Sequence, residues 1–166
     1  MKQRILSILV DNTAGVLSRV SGLFSRRGYN IDSLTVGVTA DPRYSRMTVV
    51  CSGDDQVLEQ ITKQLNKLVD VRDIKVLEPD SSVSRELILV KVRVSKENRQ
   101  NVTAITDIFR ANVIDVGLDS MVIELTGSKS KLEAFLNLMG DGNEILEIAR
   151  TGITGLSRGS DYVLFL

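Results

Sequence analysis

The chain of 166 residues contains no histidine, no tryptophan and a single cysteine, Cys51. Ser-His-Asp and Cys-His nucleophile systems need histidine, and Cys/His zinc sites and Cys-ligated clusters need histidine or several cysteines, so these classes of site are excluded. A single cysteine also excludes a disulfide within the chain. Any catalysis would have to rest on carboxylates, lysine, tyrosine or a borrowed cofactor, and the sequence predicts no metal site.

The chain also lacks an excess of either charge and a long apolar run. Its 21 Lys and Arg residues balance 21 Asp and Glu residues, so no net field attracts nucleic acid or anionic lipid. The most apolar run, residues 87–94, is interrupted by Lys91 and Arg93, far short of the roughly 20 residues that a membrane helix needs. No signal peptide is evident at the N-terminus. We therefore expect a cytoplasmic protein that binds neither nucleic acid nor a membrane.

The first half of the chain alternates between strand-like and helix-like patterns. Apolar residues of segment 16–27 (Val16, Leu17, Val20, Leu23, Phe24) share one helical face, and a second helix follows the N-cap Asp54. Strands are predicted at 3–10, 31–38, 47–51 and 71–76. The resulting order, βαββαβ, is that of a ferredoxin-like domain, in which four antiparallel strands carry two helices.

The second half repeats this order without repeating the residues. We predict a strand at 87–94, a helix with Val102, Ile105, Ile108 and Phe109 on its apolar face, a hairpin at 113–125, a helix at 132–139 and a strand at 145–153. The fold class is therefore α+β, with two tandem ferredoxin-like domains. The predicted boundaries are 1–78 for the first domain, 79–84 for a linker, 85–159 for the second domain and 160–166 for a tail.

Two loops contain residues suited to ligand binding. One joins the first strand to the first helix, and the other follows that helix. Asn12 and Gly15 lie between the first strand and the first helix, where unpaired backbone N–H groups and the positive end of the helix dipole can hold a carboxylate. The Asn12 amide could bind a carboxylate or an ammonium group. On spacing alone, an ordinary strand-to-helix turn is the simpler explanation of both residues, and Asn30 taken alone is typical of a turn.

Two other features have simple structural interpretations. Cys51 alternates with Met47 and Val49, so we expect it to be a small buried apolar residue. The glycine-rich segment 152–159 lacks the Lys-Ser/Thr ending of a phosphate loop and precedes no helix. A mobile tail is its simplest interpretation.

Five sequence blocks carry a resemblance to a known family: GVLSRVSGLF at 15–24, RGYNIDSLTV at 27–36, SRMT at 45–48, LNKLVDV at 65–71 and ARTGITGLSRG at 149–159. Together they resemble the small regulatory subunits of acetohydroxyacid synthase, also called acetolactate synthase. The first half resembles an ACT domain, the βαββαβ module that senses amino acids.

The resemblance implies a non-catalytic subunit that activates a large catalytic subunit and confers feedback inhibition by valine or another branched-chain amino acid. Thiamine diphosphate, magnesium and FAD would belong to the large subunit, and this chain would hold no cofactor. ACT domains of this kind pair side by side, as a homodimer, and bind the effector between them. The implied effector site comprises Asn12, Ala14, Gly15, Val16 and Leu17 of one chain and Asn30 and Ile31 of the other.

Two other functions stay open on the sequence. An amino-acid-responsive transcriptional regulator with an ACT domain would need a basic reading helix, and none is evident. A small enzyme on a ferredoxin-like scaffold would use lysine or carboxylate catalysis, which the fold alone does not exclude.

Overall fold

The computed structural model describes residues 2–160, which form nine strands and four α-helices. The first half contains β1 Lys2–Asp11, α1 Val16–Arg26, β2 Ile31–Val38, β3 Tyr44–Gly53, α2 Asp55–Leu65 and β4 Val71–Leu77. After a 3₁₀ turn, Pro79–Ser81, come β5 Ser82–Arg93, α3 Arg99–Ile108, β6 Asn112–Val116, β7 Ser120–Gly127, α4 Lys129–Gly140, β8 Ile145–Arg150 and β9 Thr154–Ser157. The predicted α+β class, with two βαββαβ units, is confirmed. Among the described residues, no helix is long and apolar enough to cross a membrane.

The first unit is an antiparallel sheet in the order β2-β3-β1-β4 with two helices on one face. Helix α1 buries Val16, Val20, Leu23 and Phe24, the spacing of one helical face. The start of α2 is capped as predicted, because the Asp54 carboxylate accepts the Val57 N–H at 2.8 Å. Leu17, predicted on the buried face of α1, is instead 46% exposed. At about 100° from Val16 around the helix, it lies just beyond the arc that the four buried residues occupy.

The second unit repeats this architecture with the order β6-β7-β5-β8. Its core surrounds Phe135, whose ring meets that of Phe109 edge-on at 5.4 Å. The prediction that Ile108 faces the core is wrong, since its side chain is 72% exposed. Thr106 is buried on the core face of α3 instead, and its hydroxyl donates to the Val102 carbonyl at 2.8 Å.

The last described segment packs on the first unit. Among the described residues, one compact unit comprises 2–84 with 153–160, and the other comprises Arg85–Gly152. Residues 153–159, placed in the second domain from sequence, therefore group with the first unit. Strand β8 ends at Arg150 rather than at 153, and Gly152 turns the chain with φ of +89°. Residues 161–166 of the predicted tail lie outside the described residues.

Segment 153–158 runs over the face of the first sheet that carries no helix. The Ile153 N–H donates to Ser33 Oγ at 2.7 Å, and Thr35 Oγ1 donates to the Ile153 carbonyl at 3.2 Å. Further on, β9 pairs with β5, and the Arg158 N–H donates to the Ser81 carbonyl at 2.8 Å. The interpretation of this segment as a mobile tail is therefore wrong.

Candidate functional site

The loop between β1 and α1 is fastened to the connection between β2 and β3. The Asn12 backbone N–H donates to the Arg43 carbonyl at 2.8 Å, and its side-chain N–H donates to the Pro42 carbonyl at 2.9 Å. Within residues 2–160, the side-chain oxygen of Asn12 accepts no hydrogen bond, and the residue is exposed. Asn12 thus anchors the turn and still presents an acceptor to solvent.

The N-terminus of α1 is open. Gly15 precedes the helix with φ of +85°, no side chain caps the first turn, and no acidic residue lies in it. The first N–H groups of α1 therefore keep their capacity to bind an anion. Ala14 and Leu17 are exposed beside this end, whereas the Val16 side chain is buried in the core, so Val16 can offer a ligand only its backbone N–H.

Two ion pairs flank the loop. Arg19 Nε lies 2.5 Å from Asp70 Oδ2, and Arg72 binds Asp11 through two hydrogen bonds of 2.7 and 3.0 Å. The bond from Arg19 holds the pKa of Asp70 below its ordinary value. A Cβ on Gly15 would lie 2.8 Å from Arg19 Nη1. The sequence reasoning did not single out Arg19. Because its charge is paired with Asp70, the capacity to hold a negative charge rests on the N–H groups of α1.

Asn30 and Ile31 lie at the opposite end of the same sheet. Ile31 pairs with Cys51, and Cys51 pairs with Arg4 near the start of β1. Asp11, the residue before Asn12, lies seven residues further along β1, which is about 24 Å of strand. One chain therefore does not bring Asn12 and Asn30 together, and a site that uses both requires a second chain.

Asn30 is held in place by a small polar cluster. Its side-chain N–H donates to Asp32 Oδ1 at 2.7 Å, and the other oxygen of Asp32 accepts from Ser52 Oγ and, at 3.3 Å, from Gln3 Nε2. Ile31 is half-buried against the core of the first unit. Asn30 thus has an ordinary structural partner, in agreement with the interpretation of it as a turn residue.

A groove of about 440 Å³ lies on the helix-free side of the first unit, and the sequence reasoning missed it. It is bounded by β2, by β3 and by residues 154–156. Within it, half-buried Arg46 donates to Ser7 Oγ at 2.7 Å, and burial lowers the pKa of Arg46 against the opposing effect of Asp73. Arg46 faces Gly37 across the β2–β3 pair. The sequence pattern alone does not determine this register.

Residues 2–160 contain neither a metal-binding cluster nor a reactive thiol. Among residues 2–160, no group of acidic or cysteine side chains is arranged to hold a metal ion. Cys51 is fully buried, and burial raises its pKa to about 11, far from the value of a reactive thiolate. The open α1 N-terminus can bind an anion, and Asn12 beside it offers a hydrogen-bond acceptor.

Comparison with known proteins covers both units. The family of AHAS small subunit-like ACT domains matches residues 6–73, and the family described as the small subunit of acetolactate synthase matches residues 85–159. The prediction that the first domain is an ACT domain is confirmed.

Individual relatives agree with the family matches over almost the whole chain. The acetolactate synthase isozyme 3 small subunit of Escherichia coli is 52% identical over 157 residues, covering 95% of this chain and 96% of the relative. The probable acetolactate synthase small subunit of Methanothermobacter thermautotrophicus is 50% identical over 157 residues, covering 94% and 93%. The crystal structure of the small subunit from Thermotoga maritima superposes with a TM-score of 0.88 at 42% identity, covering 97% of this chain and all of that one. The chain therefore belongs to the acetolactate synthase small-subunit family.

Proposed function

We propose that this chain is the regulatory subunit of an acetolactate synthase. In this role it binds the large catalytic subunit, raises its activity and makes it sensitive to feedback by valine or another branched-chain amino acid. The large subunit holds thiamine diphosphate, magnesium and FAD, and this chain supplies no catalytic group. The observation that carries the proposal is the open α1 N-terminus beside Asn12 in a chain of this family.

The loop offers matched partners for the two charged groups of an amino acid. The free N–H groups of the first turn of α1 suit an α-carboxylate. The Asn12 side-chain oxygen is an acceptor for the α-ammonium group. Leu17, 46% exposed on the first turn, supplies apolar surface for a branched aliphatic side chain.

Pairing of two chains along β2 would complete this site. β2 is an edge strand whose Val36 and Val38 are 48% and 63% exposed. In a twofold antiparallel pair of β2 edges, residue 31 of one chain lies opposite residue 38 of the other. Within one chain, Val38 pairs with Ser45 on β3, and Ser45 pairs with Val10 near the end of β1. That places Ile31 of the second chain three strand spacings, or about 14 Å, from β1 and its loop. Asn30 and Ile31 would then close the site over the effector.

Feedback follows if the effector binds one arrangement of the complex more tightly than another. A ligand with equal affinity for both arrangements would shift nothing, however tightly it bound. A site shared by two chains provides this preference, because it exists only when the chains are correctly paired.

The test is calorimetric titration with valine, leucine and isoleucine, followed by activity assays with a purified large subunit. We expect Asn12→Ala to weaken valine binding by about tenfold or more, since it removes a hydrogen bond to a charged group. Gly15→Asp should abolish sensitivity to valine, because a second carboxylate would occupy the anion site. Both variants should still bind the large subunit.

Gly142→Asp is the matched control. Gly142 has φ of +83°, close to that of Gly15, but lies in the second unit, so it imposes similar backbone strain away from the site. Valine sensitivity should survive in this variant. Full valine sensitivity in both Asn12→Ala and Gly15→Asp would show that the effector site is wrongly placed.

A further inference from the structure

The second unit has two edge strands that differ in the charge they carry. β8 exposes Leu146 (38%) and Ile148 (40%) together with the charged residues Glu147 and Arg150. On β8, Glu147 lies 3.2 Å from Lys91 and Arg150 lies 4.0 Å from Glu86. Charged side chains of this kind protect an edge from pairing with another chain. Strand β6, at the other edge, has only Asp115 as a charged residue, and all five of its residues are exposed. Its outer backbone N–H and C=O groups have no strand partner among residues 2–160.

A strip of exposed apolar side chains accompanies this open edge. We call it the β6 strip, and its members with their exposed fractions are Ile108 (72%), Val113 (37%), Ile114 (51%), Val116 (61%) and Leu118 (96%). All lie within eleven consecutive residues, from the end of α3 to the turn after β6. Scattered single apolar residues are normal on a surface, but five of them along one open edge indicate an interaction site.

The end of the β6 strip is held rigidly. The Gly117 N–H donates to the Ser120 carbonyl at 2.8 Å and closes the turn between β6 and β7. Arg99, in the first turn of α3, donates to the Gly117 and Leu118 carbonyls at 3.1 and 3.0 Å. Leu118 is thus displayed on a fixed turn, so little backbone entropy is lost when it enters a partner's pocket.

The charges around the β6 strip favour a partner unlike this chain. Asp107, Asp115 and Asp119 are exposed along it, against one exposed cation, Arg110. A second copy of the strip would bring the three carboxylates of one chain near those of the other, which like-charge repulsion disfavours. A partner with lysine or arginine beside an apolar strand complements this edge.

We propose that the β6 strip is the docking surface for an extended apolar segment of the large catalytic subunit, flanked by basic residues. The segment adds a strand to the edge of the second sheet, and Leu118 is its anchor. Main-chain hydrogen bonds along the edge supply affinity, and the alternate side chains with the acidic border supply specificity. This inference rests on the proposed function, because it assigns the surface through which the regulatory subunit binds its partner.

The experiment measures the affinity of the full chain for the purified large subunit by calorimetry, together with the activation of acetolactate formation. Leu118→Lys and Ile114→Lys replace exposed residues, so folding should be unaffected, and each should raise Kd by about tenfold or more. Asp115→Lys should also weaken binding, and added salt should weaken binding of the unmodified chain. Valine binding to the isolated variants should stay unchanged.

Val69→Lys is the matched control, because Val69 is 88% exposed but lies in the first unit. It should bind the large subunit with the affinity of the unmodified chain. Unchanged affinity in both Leu118→Lys and Ile114→Lys would overturn the docking surface while the proposed function stood. If light scattering showed a lower mass for the isolated variants than for the unmodified chain, the β6 strip would pair copies of this chain, and the proposed docking surface would be overturned. Failure of the unmodified chain to bind the large subunit would instead refute the proposed function, and the docking surface with it.

Discussion

Neighbouring residues at the start of α1 have different tasks. Val16 is 4% exposed and fills the core, whereas Leu17 is 46% exposed and faces solvent. Asn12 anchors the loop through Pro42 and Arg43 while keeping its side-chain oxygen free of any hydrogen bond within residues 2–160. The turn and ligand interpretations of Asn12 are therefore compatible, because they use different atoms of one side chain.

Cys51 illustrates how burial determines the chemistry of a single group. It lies on β3, is fully buried, and has a pKa raised to about 11 because burial disfavours the thiolate. At pH 8 the folded protein should therefore react negligibly with a thiol-specific disulfide reagent, while one thiol per chain reacts in urea. The measurement is absorbance of the released thiolate over time. Rapid reaction of one thiol in the native protein would contradict the assigned burial.

Edge strands divide the surface of each unit into a charged side and an apolar side. β4 presents Arg72, Asp73 and Lys75, whereas β2 presents Val36 and Val38. The second unit repeats the contrast in part, since β8 carries Glu147 and Arg150 beside exposed Leu146 and Ile148, whereas the only charged residue of β6 is Asp115. Because charged edges resist pairing and apolar ones favour it, the two apolar edges are the surfaces to which we assign partners: a second copy at β2 and the large subunit at β6.

Substitution at the β2 edge tests the first assignment. Val38→Lys places a charge at an exposed position of the pairing edge. It should raise the dissociation constant of the dimer by about tenfold or more, while each chain stays folded. Valine binding should fall in parallel, because residues 30 and 31 of the second chain are withdrawn. Light scattering over a concentration series and calorimetry measure the two effects, with Val69→Lys as control. Wild-type mass and valine affinity in Val38→Lys would exclude this edge as the interface.

The sequence predicts most elements of this fold and fails where periodicity gives no signal. Helix faces with regular spacing, such as that of α2 after Asp54, are found correctly because local pattern and core agree. The prediction that Ile108 faces the core fails because Thr106, although polar, is buried there and donates its hydroxyl to the Val102 carbonyl. The place of Asn12 before a helix made it a candidate from the sequence alone. Its combination with Asn30 in one site could be inferred only through a family resemblance, since the two lie at opposite ends of one chain's sheet.

The packing of segment 153–158 is the part of the whole molecule that no local pattern predicts. The segment is short and contains glycine, and Ile153 meets Ser33 across 120 residues of sequence. Pairing of such distant segments is determined by tertiary contacts and not by local propensity. A family match that ends at residue 159 thus spans parts of two compact units.

Gly155 provides a test of this packing across the whole molecule. It is buried, and a Cβ there would lie 3.0 Å from both Leu77 Cδ1 and the Val83 carbonyl oxygen. Since the carbonyl belongs to the backbone, it cannot move aside cheaply, and Gly155→Val should lower the free energy of unfolding by roughly 1–3 kcal/mol. Gly140→Val is the control, because a Cβ at Gly140 meets only Ile145 Cδ1 at an ordinary 3.7 Å. Hydrogen exchange should show faster exchange of β1 and β3 amides such as Ser7 and Thr48 in Gly155→Val, with β7 unchanged. If the loss of protection fell on β7 instead, segment 153–158 would stabilise the second unit, and its assignment to the first would be refuted.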